Sequence, residues 1–174
     1  MANKLLLTSF DVWMPHHRSN ASDDLLAALL QQELPISEVH CLRRLPVHFQ
    51  QAPERVIAAI QQVQPDLILC CGMAETRSHL SLESSATVLG KTLCTSVTLE
   101  SLILDLRLTH ISHDAGQYVC NHLYYEILNY LQLADLTRMQ CIFVHVPILT
   151  PANLEPIVLD FLTLIQRLRQ AVTC

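Results

Sequence analysis

Acyl transfer by a protein side chain needs a nucleophile, a base to take its proton and an acid to orient the base. In this sequence the stretch AGQYVCNHLYYEILNYL, from Ala115 to Leu131, carries a candidate nucleophile in Cys120. Asp114 and Gln117 stand three apart just ahead of it, the spacing of a capping box, which predicts a helix from about Ala115. Val119, Leu123, Ile127 and Leu131 recur every four residues as its buried seam, and Cys120 lies one helical step away. A cysteine early in a helix feels the positive end of the macrodipole, which favours the attacking thiolate. The effect fades after the first turn, so a helix starting at Ala115 leaves Cys120 in need of a basic partner. A lone cysteine at such a boundary more often packs as a small hydrophobe, and the segment by itself leaves both readings open.

Of nine histidines, His145 is best placed to be that partner, because it ends the apolar run CIFVHVP just before Pro147. Sites assemble at the carboxyl ends of strands in a parallel sheet. The alternative is a strand-end histidine satisfied by a backbone carbonyl. A third candidate is Glu83 in HLSLES: with Leu80 and Leu82 toward the core, Ser81 and Glu83 face the other way, where a lone carboxylate is ordinarily solvated. His110 and His113 fit no common zinc spacing, so neither a metal nor another cofactor is expected.

The elements that must position these side chains follow from the hydrophobic pattern. Strand-length apolar runs alternate with helical segments: KLLLTSF (strand), ASDDLLAALLQQEL (helix), SEVHCLRRLPV (strand), APERVIAAIQQV (helix), DLILCCG (strand). Such alternation builds a parallel sheet from crossover units. From Ser78 period-two stretches flank Gly90-Lys91, which suits a type II′ turn and predicts an inserted β-hairpin. A helix around Leu99 to Leu106, a short strand around His110 to Ser112, the Cys120 helix, the strand MQCIFVHV and a terminal helix from about Asn153 to Arg169 complete the order. Residues 1–174 therefore read as a single three-layer α/β/α domain with a mostly parallel twisted sheet and an inserted hairpin.

Composition narrows the function classes. Hydrophobic residues make up 51% of the 174, charged residues only 16%, which excludes disorder and suits a sheet buried between helices. A net charge of −5, with no basic run longer than Arg43-Arg44, argues against nucleic acid or an anionic membrane as the partner and leaves a peptide or small molecule. No apolar run approaches the roughly 18 residues of a spanning helix, and MANKLLLTSF is too short for a signal sequence with its cleavage site, so a cytoplasmic protein is expected. Seven cysteines, at 41, 70, 71, 94, 120, 141 and 174, show no CxxC spacing and read as free thiols in a reducing compartment. The apolar content accommodates either a dense core or the interface of a homo-oligomer.

Read in order, the motifs resemble those of pyroglutamyl peptidase I, cysteine peptidases that remove an N-terminal pyroglutamate. LLLTSFDVW resembles the family's opening strand and Thr-Gly-Phe-Asp-Pro-Phe turn, SNAS its Asn-Pro-Ser, and LPV the segment after its second strand. QPDLILCCGMAETR resembles its Gln-Pro-Asp strand and Gly-Gln-Ala-Gly-Gly-Arg turn, and LSLES the segment with its catalytic Glu. SHDAGQYVCNHLYY is very close to its nucleophile motif and FVHVP to its histidine motif. The resemblance implies a triad of Cys120, His145 and Glu83, a pocket that includes Phe10, Trp13, Met73 and Arg77, and the α/β/α fold shared with nucleoside phosphorylases and related hydrolases. The implied substrate is a peptide with a blocked N-terminus, cleaved through a thioester.

The departures fall on substrate recognition. Met14 and Pro15 stand where the family has paired glycines, and Gly72-Met73-Ala74-Glu75-Thr76-Arg77 replaces an amide with a thioether at Met73. A longer family segment after Glu83, with its Arg-Ile-Pro-Asp-Asn stretch, has no counterpart. Two alternatives therefore stand beside the peptidase: a cysteine hydrolase acting on another small acyl or amide substrate, and a catalytically inactive binding protein on the same scaffold.

Overall fold

Side-chain alternation along the strands decides which helix each residue meets. The computed structural model describes residues 4–171, so Cys174 and the first three residues of MANKLLLTSF lie outside the described part. Six strands form the main sheet: β1 (Lys4–Phe10), β2 (Glu38–Leu45), β3 (Leu67–Met73), β4 (Leu80–Glu83), β7 (Thr109–Ser112) and β8 (Gln140–Val146). Their order is β2-β1-β3-β8-β4-β7. β2, β1, β3 and β8 are mutually parallel, whereas β4 runs antiparallel to β8 and then pairs in parallel with β7.

Four helices cover the two faces: α1 (Ala21–Leu29), α2 (Gln51–Val63), α3 (Val119–Leu133) and α4 (Leu154–Ala171). Leu5, Leu7, Leu67, Leu69, Leu80, Leu82, Ile142 and Val144 point to one face, against Leu25 and Leu26 of α1 and Ile157 and Phe161 of α4. Their neighbours Leu6, Ile68, Cys70, Cys141 and Phe143 point to the other, against Val56 and Ile60 of α2 and Leu123 and Ile127 of α3. Fully burying one such aliphatic side chain contributes about 1.5–3 kcal/mol, so the double-sided core dominates the stability. This is the mostly parallel three-layer α/β arrangement expected.

Two local expectations are corrected. Residues 99–106 form no helix; two tight turns close through Leu102 N–H to Leu99 O and Leu106 N–H to Ile103 O. Asp105 sits at φ 61°, in the left-handed region, and eight residues are too few to hold a helix without a continuous buried face. The hairpin exists as β5 (Ser85–Val88) and β6 (Lys91–Cys94), but its two-residue turn is Leu89-Gly90, since Val88 pairs with Lys91. Both turn residues have positive φ, 49° and 75°, the geometry of a type I′ turn rather than type II′.

One ionic cluster fastens β1, β2 and α1. Asp23 accepts from Ser9 Oγ at 2.8 Å, from Arg43 Nε at 2.7 Å and from Arg44 Nε at 3.0 Å. Burial by itself would raise the Asp23 carboxyl, but hydrogen bonds from Arg43, Ser9 and Arg44 together outweigh it and hold the carboxyl below its usual range. A depressed carboxyl contributes stability that is present above its unfolded value and lost as the pH falls through the folded one. Asp23→Ala should cost about 1–3 kcal/mol in urea denaturation near neutral pH, because it leaves the buried Ser9 hydroxyl and the partly buried Arg43 without their acceptor. The difference between wild type and variant should shrink as the pH is lowered toward 3.

Candidate active site

The segment before α3 is extended, not helical. Gly116 adopts φ 80° and the Asp114 carboxylate accepts its N–H at 2.9 Å, closing a local turn instead of a capping box with Gln117. Tyr118 is the extended N-cap with no side-chain capping bond, and α3 begins at Val119. Cys120 is thus in the first turn, several residues nearer the helix start than expected. His122 N–H makes the first helical bond, to Tyr118 O at 3.1 Å, so the amides of Val119, Cys120 and Asn121 precede it. Asn121 locks this end in place. Its Oδ1 accepts Thr87 N–H at 2.9 Å and its Nδ2 donates to Thr87 O at 2.7 Å, clasping β5 to α3.

Alternation brings the other two residues to the same face. In β8, Cys141, Phe143 and His145 point toward the α3 layer, and in β4 Ser81 and Glu83 point the same way. Because the two strands are antiparallel, with Glu83 opposite Phe143 and Ser81 opposite His145, the carboxylate lies diagonally below the imidazole. The side of β4 away from Leu80 and Leu82 is therefore interior: Glu83 is 0% exposed rather than solvated, and His145 is also buried. Glu83 Oε1 accepts from His145 Nδ1 at 2.7 Å and from Arg77 Nη1 at 2.6 Å. With Nδ1 donating, Nε2 is the free nitrogen of a ring that lines the cavity. Tyr124 supports the acid from behind, its hydroxyl donating to Glu83 O at 3.0 Å.

Cys120 approaches this pair across Gly72, which is paired with His145 in the β3–β8 ladder. A Cβ at Gly72 would stand 2.6 Å from Cys120 Sγ and 2.8 Å from Phe143 Cζ, so only glycine leaves room for the thiol. Cys120 and His145 line one cavity of about 480 Å³, within the range of small-molecule sites. All four residues expected in a ligand pocket, Phe10, Trp13, Met73 and Arg77, also line it. Their roles differ. Phe10 is buried in the floor, and Trp13 stacks near Tyr118 with centroids 5.1 Å apart. Met73 Sδ accepts Ala21 N–H at 3.4 Å, and the Arg77 guanidinium is committed to Glu83 and to Asp114 O at 2.8 Å.

Burial, and after it the Glu83 charge, pushes the Cys120 thiol up to about 12, with the Cys120 amide opposing. The resting nucleophile candidate is therefore a neutral thiol. The arrangement can carry out nucleophilic attack coupled to proton transfer. The sequence reading missed Gly72, Tyr124 and Asn121. Gly72 was visible only as a glycine inside an apolar strand, a known sign of close approach; the others had no signal.

Gly72→Ala should displace Sγ and the Phe143 ring. A misplacement approaching 1 Å costs on the order of 10²-fold in turnover. Overpacking of this kind costs about 1–3 kcal/mol, so thermal melting beside kcat separates the local effect from unfolding.

Comparison with known proteins finds pyroglutamyl peptidases. The family model described as pyroglutamyl peptidase matches residues 100–159, a span that includes Cys120 and His145. The pyrrolidone-carboxylate peptidase of Vibrio vulnificus is 29% identical, over 84% of this chain and 79% of its own. That of Brevibacillus brevis is 26% identical, over 62% of each chain. Among solved structures, pyroglutamyl peptidase I of Bacillus amyloliquefaciens superposes with a TM-score of 0.83 at 20% identity, covering 97% of each chain, which establishes the shared fold. By sequence the chain is similar to pyroglutamyl peptidases, and it shares the fold of their solved structures.

Proposed function

We propose that this protein is a cysteine exopeptidase that removes an N-terminal pyroglutamyl group. The observation that supports it most is the meeting of a first-turn cysteine and an imidazole on one ligand-sized cavity, with a buried carboxylate holding the imidazole from behind, in a chain similar to enzymes with that name. His145 Nε2 takes the proton of Cys120 Sγ as sulfur bonds to the acyl carbon. The tetrahedral oxyanion collapses, the C–N bond breaks, and the same proton leaves on the amine. A water that gives its proton to His145 then attacks the thioester, releases pyroglutamic acid and restores the thiol. Glu83 holds Nδ1–H and offsets the transient imidazolium charge. First-turn amides of α3 stabilise the oxyanion, each such donor being worth about 3–4 kcal/mol.

Arg77 is a positioning residue in this reading, because its guanidinium is committed to the acid and to the Asp114 carbonyl. The exposed and buried cysteines alike are free among the described residues, which suits the cytoplasm, the location we propose. No described helix is long and apolar enough to cross a membrane. A second reading, a hydrolase of another small acyl or amide group, is favoured by the thioether of Met73 and the acid of Glu75 in the cavity wall.

Release of a fluorophore from a panel of N-terminal acyl amides tests both readings. Cleavage is expected for the pyroglutamyl amide, falling about 10⁴-fold or more in Cys120→Ala and about 10²- to 10⁴-fold in Glu83→Gln. Cleavage of a different acyl amide with the same Cys120 dependence selects the second reading, and full activity in Cys120→Ala rejects both. The raised thiol makes a separate prediction. Labelling of Cys120 by iodoacetamide should climb about tenfold per pH unit between about pH 7 and 9, because the thiolate fraction does so when the group titrates well above that range. A rate that is flat across this interval would instead mark a preformed thiolate and imidazolium pair.

A further inference from the structure

A second cluster stands at the rim of the same cavity, on the loops that depart from the family pattern. The turn Met14-Pro15-His16-His17 is closed by His17 N–H to Met14 O at 3.0 Å, with Pro15 fixing the backbone at the second position. The two imidazoles are thereby held against each other, ring centroids 4.2 Å apart and edge to face. Glu75, from the turn after β3, meets both: its Oε1 is 2.8 Å from His17 Nε2 and its Oε2 is 3.9 Å from His16 Nε2. One ligand atom from each of the three lies within 4.8 Å of the others.

We propose that His16, His17 and Glu75 form a binding site for one divalent cation of the zinc class. Two imidazoles and a carboxylate are the donor set of three-ligand zinc sites that keep a fourth position open. Bonds of 2.0–2.1 Å in a tetrahedral arrangement place ligand atoms about 3.3 Å apart. Donor atoms already within 4.8 Å of one another need shifts of about 1 Å to close on an ion.

The surroundings suit a bound ion. The His17 side chain is only 8% exposed and packed beside Trp13, which holds its ring with Nε2 toward Glu75. His16 and Glu75, in contrast, are 62% and 39% exposed, which gives a hydrated ion a way in. The bound ion would tie the loop carrying Trp13 to the turn carrying Arg77, across the cavity mouth. This proposal stands on these three side chains alone, whatever bond Cys120 cleaves.

The test is equilibrium dialysis against zinc, with cobalt as the spectroscopic probe, on a Cys41→Ser, Cys94→Ser, Cys120→Ser, Cys174→Ser background that removes the more accessible thiols of the described residues and the C-terminal one. One equivalent is expected, with visible cobalt bands of a four-coordinate nitrogen and oxygen site and no thiolate charge-transfer band. His16→Ala and Glu75→Gln should each weaken binding tenfold or more. His16 is exposed, and a melting curve without metal checks that its replacement leaves the fold intact. Affinity that stays within twofold in both variants, or a thiolate band that survives in them, would overturn the proposal.

Discussion

The buried carboxylate of Glu83 is the constraint on which the active face depends. An ionised group removed from water is tolerated only where charges and hydrogen bonds replace its hydration. Here two cationic or proton-donating groups, Arg77 and His145, meet at one oxygen, and the other oxygen is buried without a partner among the described residues. The imidazole is therefore more than an adjacent base, because it supplies part of the solvation of the acid. Arg77 links the same oxygen to the backbone of Asp114, and so to the loop that leads into α3. One charge thereby organises two strands, a turn and the approach to the nucleophile helix.

Much of this was legible in the residues, and the exceptions are instructive. Strands such as LILCC and CIFVHV are buried on both faces, so their apolar runs stand out in the sequence. The burial of Glu83 does not, because HLSLES reads as a half-exposed strand until β4 is known to lie between β8 and β7. The start of α3 was misplaced because Asp114 and Gln117 fit a capping box by spacing alone, while Gly116 in a left-handed conformation directs the Asp114 side chain to a turn. Leu99 to Leu106 has helical spacing, yet its apolar residues anchor a loop against α4, where Arg167 bonds the carbonyls of Leu102 and Leu104. The meeting of His17 with Glu75 spans 58 positions and no local pattern announces it.

The cavity wall shows what can change around such a centre and what cannot. Gly72, Phe143 and the clasp of Asn121 on Thr87 set the place of the thiol through backbone and packing, where a single added carbon collides. Met73 ends β3, and Trp13 and Glu75 sit on the loops beyond the strand ends, outside the core. Recognition can therefore drift while the reacting groups stay fixed.

The reversal of β4 has a stereochemical consequence. In a fully parallel sheet the end of every strand reaches the same rim, and an acid at the end of β4 would meet the histidine from the open side. Running the other way, β4 brings Glu83 opposite Phe143, two residues deep from His145 on the neighbouring strand. The acid reaches the ring from beneath, and the nitrogen it engages is the interior one. Strand direction thus settles the orientation of the ring: the nitrogen held by the acid is chosen by topology before any chemistry takes place.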